Sequence, residues 1–258
     1  VITVLGNNPE TVEVGSTYTD AGATADGGET VTTSGTVDTN TVGVYTMTYT
    51  ATDSSNNQAT ATRTVYVVDT NAPLITVIGD NPAIVELGST YTDAGATADG
   101  GETVTTSGTV DTNTVGVYTI TYTATDSSGN QGIATRIVNV VDTTAPVITV
   151  LGNDPVTVEV GSTYSDAGAT ADGGETVTTS GTVDTNTVGV YTITYSATDS
   201  SNNVATATRT VNVVDTTVPT MTLVGSNPVD VEAATTYTDA GATAQDNYDG
   251  DITSSITT

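Results

Sequence analysis

The stretch DAGATADGGETVTTSGTVDTNTVGVYT starts at Asp20, again at Asp93 and again at Asp166, unchanged each time. The glycines that close the apolar run ahead of it, Gly6, Gly79, Gly152 and Gly225, are spaced by 73 residues throughout. A fixed period of this length marks a tandem array whose unit is the size of one small all-β domain. It also bears on function, because an active site is needed once and a structural module many times. The predicted units are 1–70, 71–143, 144–216 and 217–258. The fourth follows the others through DAGATA, then diverges into QDNYDGDITSSITT and stops a little beyond the middle of the unit. Val1 is not an initiator and no leader precedes it, so the sequence reads as a processed or excised segment.

Within each unit the period is two, which is the signal of a half-buried strand. Over Val44–Thr52, residues Tyr45, Met47, Tyr49 and Ala51 share one face while Thr46, Thr48, Thr50 and Thr52 share the other. Ala59–Val68 behaves alike, with Ala61, Val65 and Val67 opposed to Thr60, Thr62 and Thr64. Valine, threonine and tyrosine suit such a pleated surface, and no stretch carries the spacing of an amphipathic helix. The first unit predicts strands near Ile2–Leu5, Thr11–Val14, Thr17–Thr24, Val31–Val37, Val44–Asp53 and Gln58–Val68. Turn-forming runs such as Asp-Gly-Gly and Asp-Ser-Ser-Asn-Asn separate several of them. The fold class that follows is all-β, a series of immunoglobulin-like β-sandwich domains arranged as an extended rod.

Charge removes whole classes of function. The chain has 30 acidic residues against three arginines and no lysine, a formal charge of −27. Nucleic acid and anionic membrane surfaces are thereby excluded as partners, since both are bound through clustered cations. Cysteine, histidine, tryptophan and phenylalanine are absent, which excludes disulfides, Cys/His zinc sites, catalytic triads and cysteine nucleophiles. Without lysine there is no Schiff base and no Lys–Asn isopeptide crosslink. No apolar run is long enough to insert in a membrane, and no Asn-x-Ser/Thr acceptor is present. A paired-carboxylate glycosidase would need a cleft, so no catalytic residue is assigned and the chain reads as no enzyme.

VITVLGNNPETVEVGSTYTDAGATA, then GTVDTNTVGVYTITYTATDSSGNQ and the closing VVDTTAP resemble the immunoglobulin-like domain of bacterial surface proteins. That domain is kin to the hyalin-type repeat and to a domain appended to some pesticidal crystal proteins. The resemblance covers essentially the whole chain, and YTATDSSGN and VxVVDTTAP are its most specific parts. It implies a tandem, non-enzymatic module of stalks or layers outside the cell. Members of the family commonly carry a DNYDGDIT-like loop after DAGATA. Here only the fourth unit has it, at Asp246-Asn247-Tyr248-Asp249-Gly250-Asp251, where the first three have a short Asp-Gly-Gly-Glu turn.

Acidic residues recur at fixed places, and two readings of them stand. Asp20 and Asp38 are expected to cap turns or solvate strand edges. Asp69-Thr70-Asn71-Ala72-Pro73, Asp142-Thr143-Thr144-Ala145-Pro146 and Asp215-Thr216-Thr217-Val218-Pro219 are the linkers, each fixed at its exit by proline. They are similar to the Asp/Asn-Pro linkers of cadherins, where calcium stiffens the junction. Either these aspartates cap turns or each junction holds Ca2+, with Asp53 and its counterparts Asp126 and Asp199 arriving from a loop and Glu13 from an edge strand. The candidate metal ligands are thus Asp53, Asp69, Asn71, Asp126, Asp142, Asp199 and Asp215, joined by Asp246, Asp249 and Asp251 on charge density alone.

Arg63, Arg136 and Arg209 occupy one position per unit on the face of Ala61 and Val65. A structural arginine at the rim of the sandwich, paired with a carboxylate, is expected. The threonine rows also match the ladders of some ice-binding proteins, although threonine is an ordinary outward strand residue. The expected function is an extracellular, cell-surface structural protein that builds a filament, surface layer or adhesin stalk through self-association or other surface proteins. The alternative is a passive spacer, or an accessory region of a larger secreted enzyme or adhesin.

Overall fold

The structure, a computed structural model, describes residues 1–257. Repeat 1 contributes β1 (Ile2–Val4), β2 (Glu10–Glu13), β3 (Ala23–Ala25), β4 (Thr32–Ser34), β5 (Gly43–Thr52) and β6 (Gln58–Val68). A two-stranded sheet, β1-β3, faces a four-stranded sheet of order β2-β6-β5-β4. The long pair β5–β6 runs antiparallel from Gly43↔Val67 to Thr52↔Gln58, whereas β2 lies parallel to β6 with Glu10 opposite Val65. Ten residues of strict alternation set this register, since a slip by one would turn the threonines inward.

Repeat 2 repeats the plan with β7 (Ile75–Val77), β8 (Ala83–Glu86), β9 (Ala96–Ala98), β10 (Thr105–Ser107), β11 (Gly116–Thr125) and β12 (Gln131–Val141). Repeat 3 follows with β13 (Ile148–Val150), β14 (Val156–Glu159), β15 (Ala169–Ala171), β16 (Thr178–Ser180), β17 (Gly189–Thr198) and β18 (Val204–Val214). Beyond it, β19 (Thr220–Leu223), β20 (Ala242–Asp246) and β21 (Gly250–Asp251) form one three-stranded sheet. The chain divides into two compact units that part between Val141 and Asp142.

The core is thin and repeats by position. Ile120, Tyr122, Ala124, Val138 and Val140 are buried in repeat 2, and Ile193, Tyr195, Val211 and Val158 in repeat 3. Ile75, on the short sheet of repeat 2, is 9% exposed, whereas its counterpart Met221 is 61% exposed. The long strands that cover Ile75 have no counterpart among the described residues of the fourth repeat.

Three features depart from the sequence-based expectation. The strand expected over Thr17–Thr24 pairs only at Ala23–Ala25, because Gly22 takes a φ of +77° and turns the preceding segment inward. The strand expected over Val31–Val37 ends at Ser34, since Gly35 sits at φ +105° with the Thr46 carbonyl 2.4 Å from where a Cβ would stand. The arginines are not at the rim: Arg63, Arg136 and Arg209 are 0%, 2% and 1% exposed.

Each arginine is buried because the inward turn at Gly22 delivers a carboxylate to it. Arg63 Nη1 lies 3.0 Å from Asp20 and 3.1 Å from Glu10, and Tyr49 donates its hydroxyl to Asp20 at 2.5 Å. In repeat 2 Arg136 Nε meets Asp93 at 3.0 Å and its other nitrogens donate to the backbone carbonyls of Asp80, Ile78 and Gly95. Arg209 pairs with Asp166 through Nη1, as Arg63 does with Asp20. Asp20 therefore caps its turn, accepting from Gly22 N–H, and is an ion-pair partner of the buried arginine as well, while Asp38 caps its own turn by accepting from Asn40 N–H and the Thr41 hydroxyl. Burial, reinforced by the bond to the aspartate, pushes the Tyr49 and Tyr195 hydroxyls up to about 12.

A second device joins the sheets. Where the chain passes from β1 to β2, Asn8 donates to the Thr62 carbonyl at 2.8 Å and accepts from Thr64 N–H at 3.0 Å, standing in for a missing strand partner. Asn81 does the same in repeat 2. Repeat 3 has Asp154 there, which accepts from Thr210 N–H at 2.9 Å but has no amide to donate.

Candidate functional site

The linkers are the places where one repeat meets the next, and their polar groups are tightly used. At the end of β6, Glu13 accepts from Thr70 N–H and hydroxyl, both at 2.8 Å, and from the Asn71 amide at 2.9 Å. Asn71 N–H also donates to Asp69 Oδ1 at 3.1 Å, so Asp69 closes a turn. Its other oxygen accepts from the Ser128 hydroxyl of repeat 2 at 2.9 Å, and Asn130 donates to the Asp69 carbonyl at 3.1 Å.

The loop that reaches Asp69 is thus that of the following repeat. Asp126 builds it by accepting from Ser128 N–H, Asn130 N–H and the Asn130 amide, which aims Ser128 at the linker. Asp53 builds the same loop in repeat 1, but lines a recess with Asp26 and Glu29 at the start of that repeat. The reason is mechanical: β5 carries the chain along the whole sandwich, so its far turn lies at the opposite end from Val68. Asp199 likewise aims Ser201, whose hydroxyl donates to Asp142 Oδ2 at 2.9 Å, while Thr144 N–H donates to Asp142 Oδ1 at 3.2 Å. The serine and asparagine of these loops were not singled out from sequence; the signal was their recurrence in each Asp-Ser-Ser loop.

The third linker is built differently. Glu159 accepts from Thr216 and Thr217, through both backbone and hydroxyl, and those bonds, chiefly from the two hydroxyls, hold its carboxyl down at about 2. Asp215, however, meets carboxylates of the fourth repeat. Oxygens of Asp215, Asp246 and Asp249 all lie within 4.8 Å of one another. Asp215 Oδ1 is shielded from solvent and has no hydrogen-bond partner. Burial and then the negative charge of Asp246, with Glu159 and Asp249 adding to it, push the Asp215 carboxyl above its ordinary range.

The longer fourth-repeat loop makes this convergence. Asp246 Oδ1 accepts from Tyr248 N–H at 2.8 Å and Asp249 N–H at 3.1 Å, folding the loop so that two carboxylates face the linker. Asp251 is turned to another task, accepting from Thr253 N–H at 3.0 Å at the start of a short 3₁₀ turn. Of the ten candidate ligands, the structure gathers Asp215, Asp246 and Asp249 into one cluster. It joins Asp69 and Asp142 to serine hydroxyls, and uses Asp53, Asp126 and Asp199 to shape loops. The donor set of the cluster, all carboxylate oxygen with one oxygen unpartnered, fits a hard cation such as calcium.

Sandwiches of this topology, met in series and joined by short polar linkers, define a tandem immunoglobulin-like repeat protein. The chain belongs to the bacterial surface protein Ig-like domain family, which matches it at residues 2–67, 75–140 and 148–213. It is 40% identical over 160 residues to hyalin of Strongylocentrotus purpuratus, an alignment covering 55% of this chain and 13% of that protein. Hyalin of Lytechinus variegatus is 42% identical over 125 residues, covering 42% of this chain and 23% of the relative. The chain thus spans less than a quarter of the length of either hyalin. Among solved structures, the extracellular domain of protocadherin GammaB4 is matched at TM-score 0.30 and 16% identity, over 84% of this chain and 49% of that one. The lipoprotein BT2262 of Bacteroides thetaiotaomicron is matched at TM-score 0.26 and 16% identity, over 81% and 98%. Scores this low carry nothing about function. No helix among the described residues is long and apolar enough to cross a membrane.

Proposed function

We propose that this chain is a non-catalytic, extracellular structural segment, a rod of immunoglobulin-like domains within a cell-surface filament, surface layer or adhesin stalk. Each repeat contacts chiefly its neighbours, so added repeats lengthen the rod without new chemistry. The linkers set its stiffness. Where a serine hydroxyl meets the linker aspartate, hydrogen bonds alone hold the joint. Where Asp246 and Asp249 meet Asp215, calcium holds it, with water and backbone carbonyl oxygens completing the shell.

The observation that carries the calcium reading is the convergence of three carboxylates at the third linker, one of which has an oxygen with no donor. The test is small-angle scattering of the chain in millimolar calcium and again in chelator, with calorimetric calcium titration beside it. Weak extracellular sites bind near 10⁻⁴–10⁻³ M, and one site per chain in that range, lost in Asp249→Asn, is expected together with a stiffer particle in calcium. An extended profile indifferent to chelator, with no heat of binding, would remove calcium and leave the linkers alone to set the shape. A compact profile in both conditions would remove the rod.

A further inference from the structure

Every repeat turns one uncharged face outward. On the long strand pair of repeat 1, Thr46 lies opposite Thr64, Thr48 opposite Thr62 and Thr50 opposite Thr60. Among the residues of β4, β5 and β6, and of their counterparts in repeats 2 and 3, there is no aspartate or glutamate at all. All 30 acidic residues lie elsewhere, in loops, linkers, the short parallel strands and the ends of β20 and β21. The parallel strands contribute Glu13, Glu86 and Glu159 only at one end of the face, where Glu13 and Glu159 are engaged by linker groups and Glu86 too has a partner.

The same face collects exposed apolar side chains. Val44, Val117 and Val190, one per repeat, are 68%, 72% and 73% exposed. Repeat 2 adds Ile84 and Ile133, at 74% and 63%. Its Ile84 and Val117 flank Asn139 in one row across the sheet, and Ile133 stands opposite Thr123. Exposed valine and isoleucine beside hydroxyl rows, with no charge among them, mark a surface suited to association.

The charge of the chain chooses the occupant. Two copies that each carry −27 repel wherever carboxylates face one another, and this face is where sheets can approach without that juxtaposition. We propose that the outward face of the long-strand sheet, strongest in repeat 2, is the surface through which a second copy of this chain packs, sheet against sheet. The inference rests on the self-associating structural reading above and names its surface.

Size decides how many repeats must take part. Two strands of ten and eleven residues at about 3.3 Å per residue and about 4.8 Å spacing present roughly 350 Å², and the short flanking strands bring this to roughly 450 Å². A stable interface needs about 800 Å² from each partner. One face falls short, and two in tandem suffice, so repetition itself supplies the affinity.

Sedimentation of the full 258-residue chain in chelator, over a concentration series and at low and high salt, tests this without involving the calcium site. Reversible association that strengthens as salt screens the net charge is expected. Val117→Glu with Ile133→Glu should weaken it at least tenfold, while Thr76→Glu with Thr149→Glu, equal in charge but on the short sheets β7-β9 and β13-β15, should weaken it far less. The triple variant Ile84→Thr, Ile133→Thr, Ile137→Thr installs the residues that repeat 1 carries at the same register, so it folds, and a severalfold weakening is expected. A chain that stays monomeric at high concentration and high salt overturns the proposal. Association that is unchanged in both face variants also overturns it, while leaving self-association through another surface. Neither outcome touches the rod dimensions read by scattering.

Discussion

Two aspartates close linkers of the same text, Asp142-Thr143-Thr144 and Asp215-Thr216-Thr217, and meet opposite surroundings. Asp142 accepts the Ser201 hydroxyl and is satisfied by the protein itself. Asp215 faces Asp246 and Asp249 and keeps an oxygen without a donor. Among the described residues the difference arises beyond the linker, where the fourth repeat has the longer acidic loop in place of the short Asp-Gly-Gly-Glu turn. Linkers that share Asp-Thr-Thr can therefore be met by a hydroxyl or by carboxylates according to the loop that reaches them.

The largest perturbation removes what both linkers share. Repeat 3 stands between them, and Asp166→Ala would leave Arg209, 1% exposed, without its carboxylate. Stranding one member of a buried pair costs about 3–5 kcal/mol, so urea denaturation should show a loss of that size, and a loss below about 1 kcal/mol would mean that the pair is idle.

Calcium should then separate the two linkers. In millimolar calcium the transition of the repeat 3 region is expected to rise by about 5 °C, as a weak site held near tenfold saturation gives in a domain of this size. Asp246→Asn with Asp249→Asn should abolish the rise, and Ser201→Ala should leave it intact. Sensitivity in Ser201→Ala instead would place the ion at the wrong linker.

Ser201→Ala has its own, smaller signature. It removes one hydrogen bond to Asp142 and should cost about 0.5–1.5 kcal/mol, equally in calcium and in chelator. Asp154→Asn is the companion gain, restoring the amide that repeats 1 and 2 use, and about 0.5 kcal/mol of added stability is expected from denaturant midpoints.

Acid titration sharpens the contrast within the third linker. The Asp215 carboxyl is raised, so its contribution is favourable below the ordinary aspartate range and is lost as pH rises through its folded value. Glu159 is depressed to about 2, so its contribution is present above the ordinary value of 4.5 and is lost as pH falls toward 2. In chelator, carboxyl resonances followed by NMR should show Asp215 taking up its proton well before Glu159. Coincident titration would mean that the two are not held as described.

The sandwich was legible in the sequence because strand alternation is local: Tyr45 to Thr52 declares both its faces without reference to any other segment. Asp20 was not, because its partner Arg63 is 43 residues away and meets it only through the turn at Gly22. The linker showed a similar limit. Asp53 and Asp69 are near in sequence, yet the length of β6 separates them, and only the tandem packing shows that Asp126 shapes the loop reaching Asp69. Asp215 was suspected for its place in the linker and Asp246 for the charge of its loop, but their convergence depends on how that loop folds about Tyr248 and Asp249.

The arginines carry one more consequence, for survival outside a cell. They are the only basic residues in the sequence, and all three are buried. A trypsin-type protease must seat an extended segment around a basic side chain, and the folded repeats present none among the described residues. Digestion would have to wait for a repeat to open, so its rate follows the opening equilibrium rather than the abundance of enzyme-ready sites. Folding thus hides every point at which such an enzyme could cut, and a repeat that loses its Arg–Asp pair becomes scissile at the same stroke.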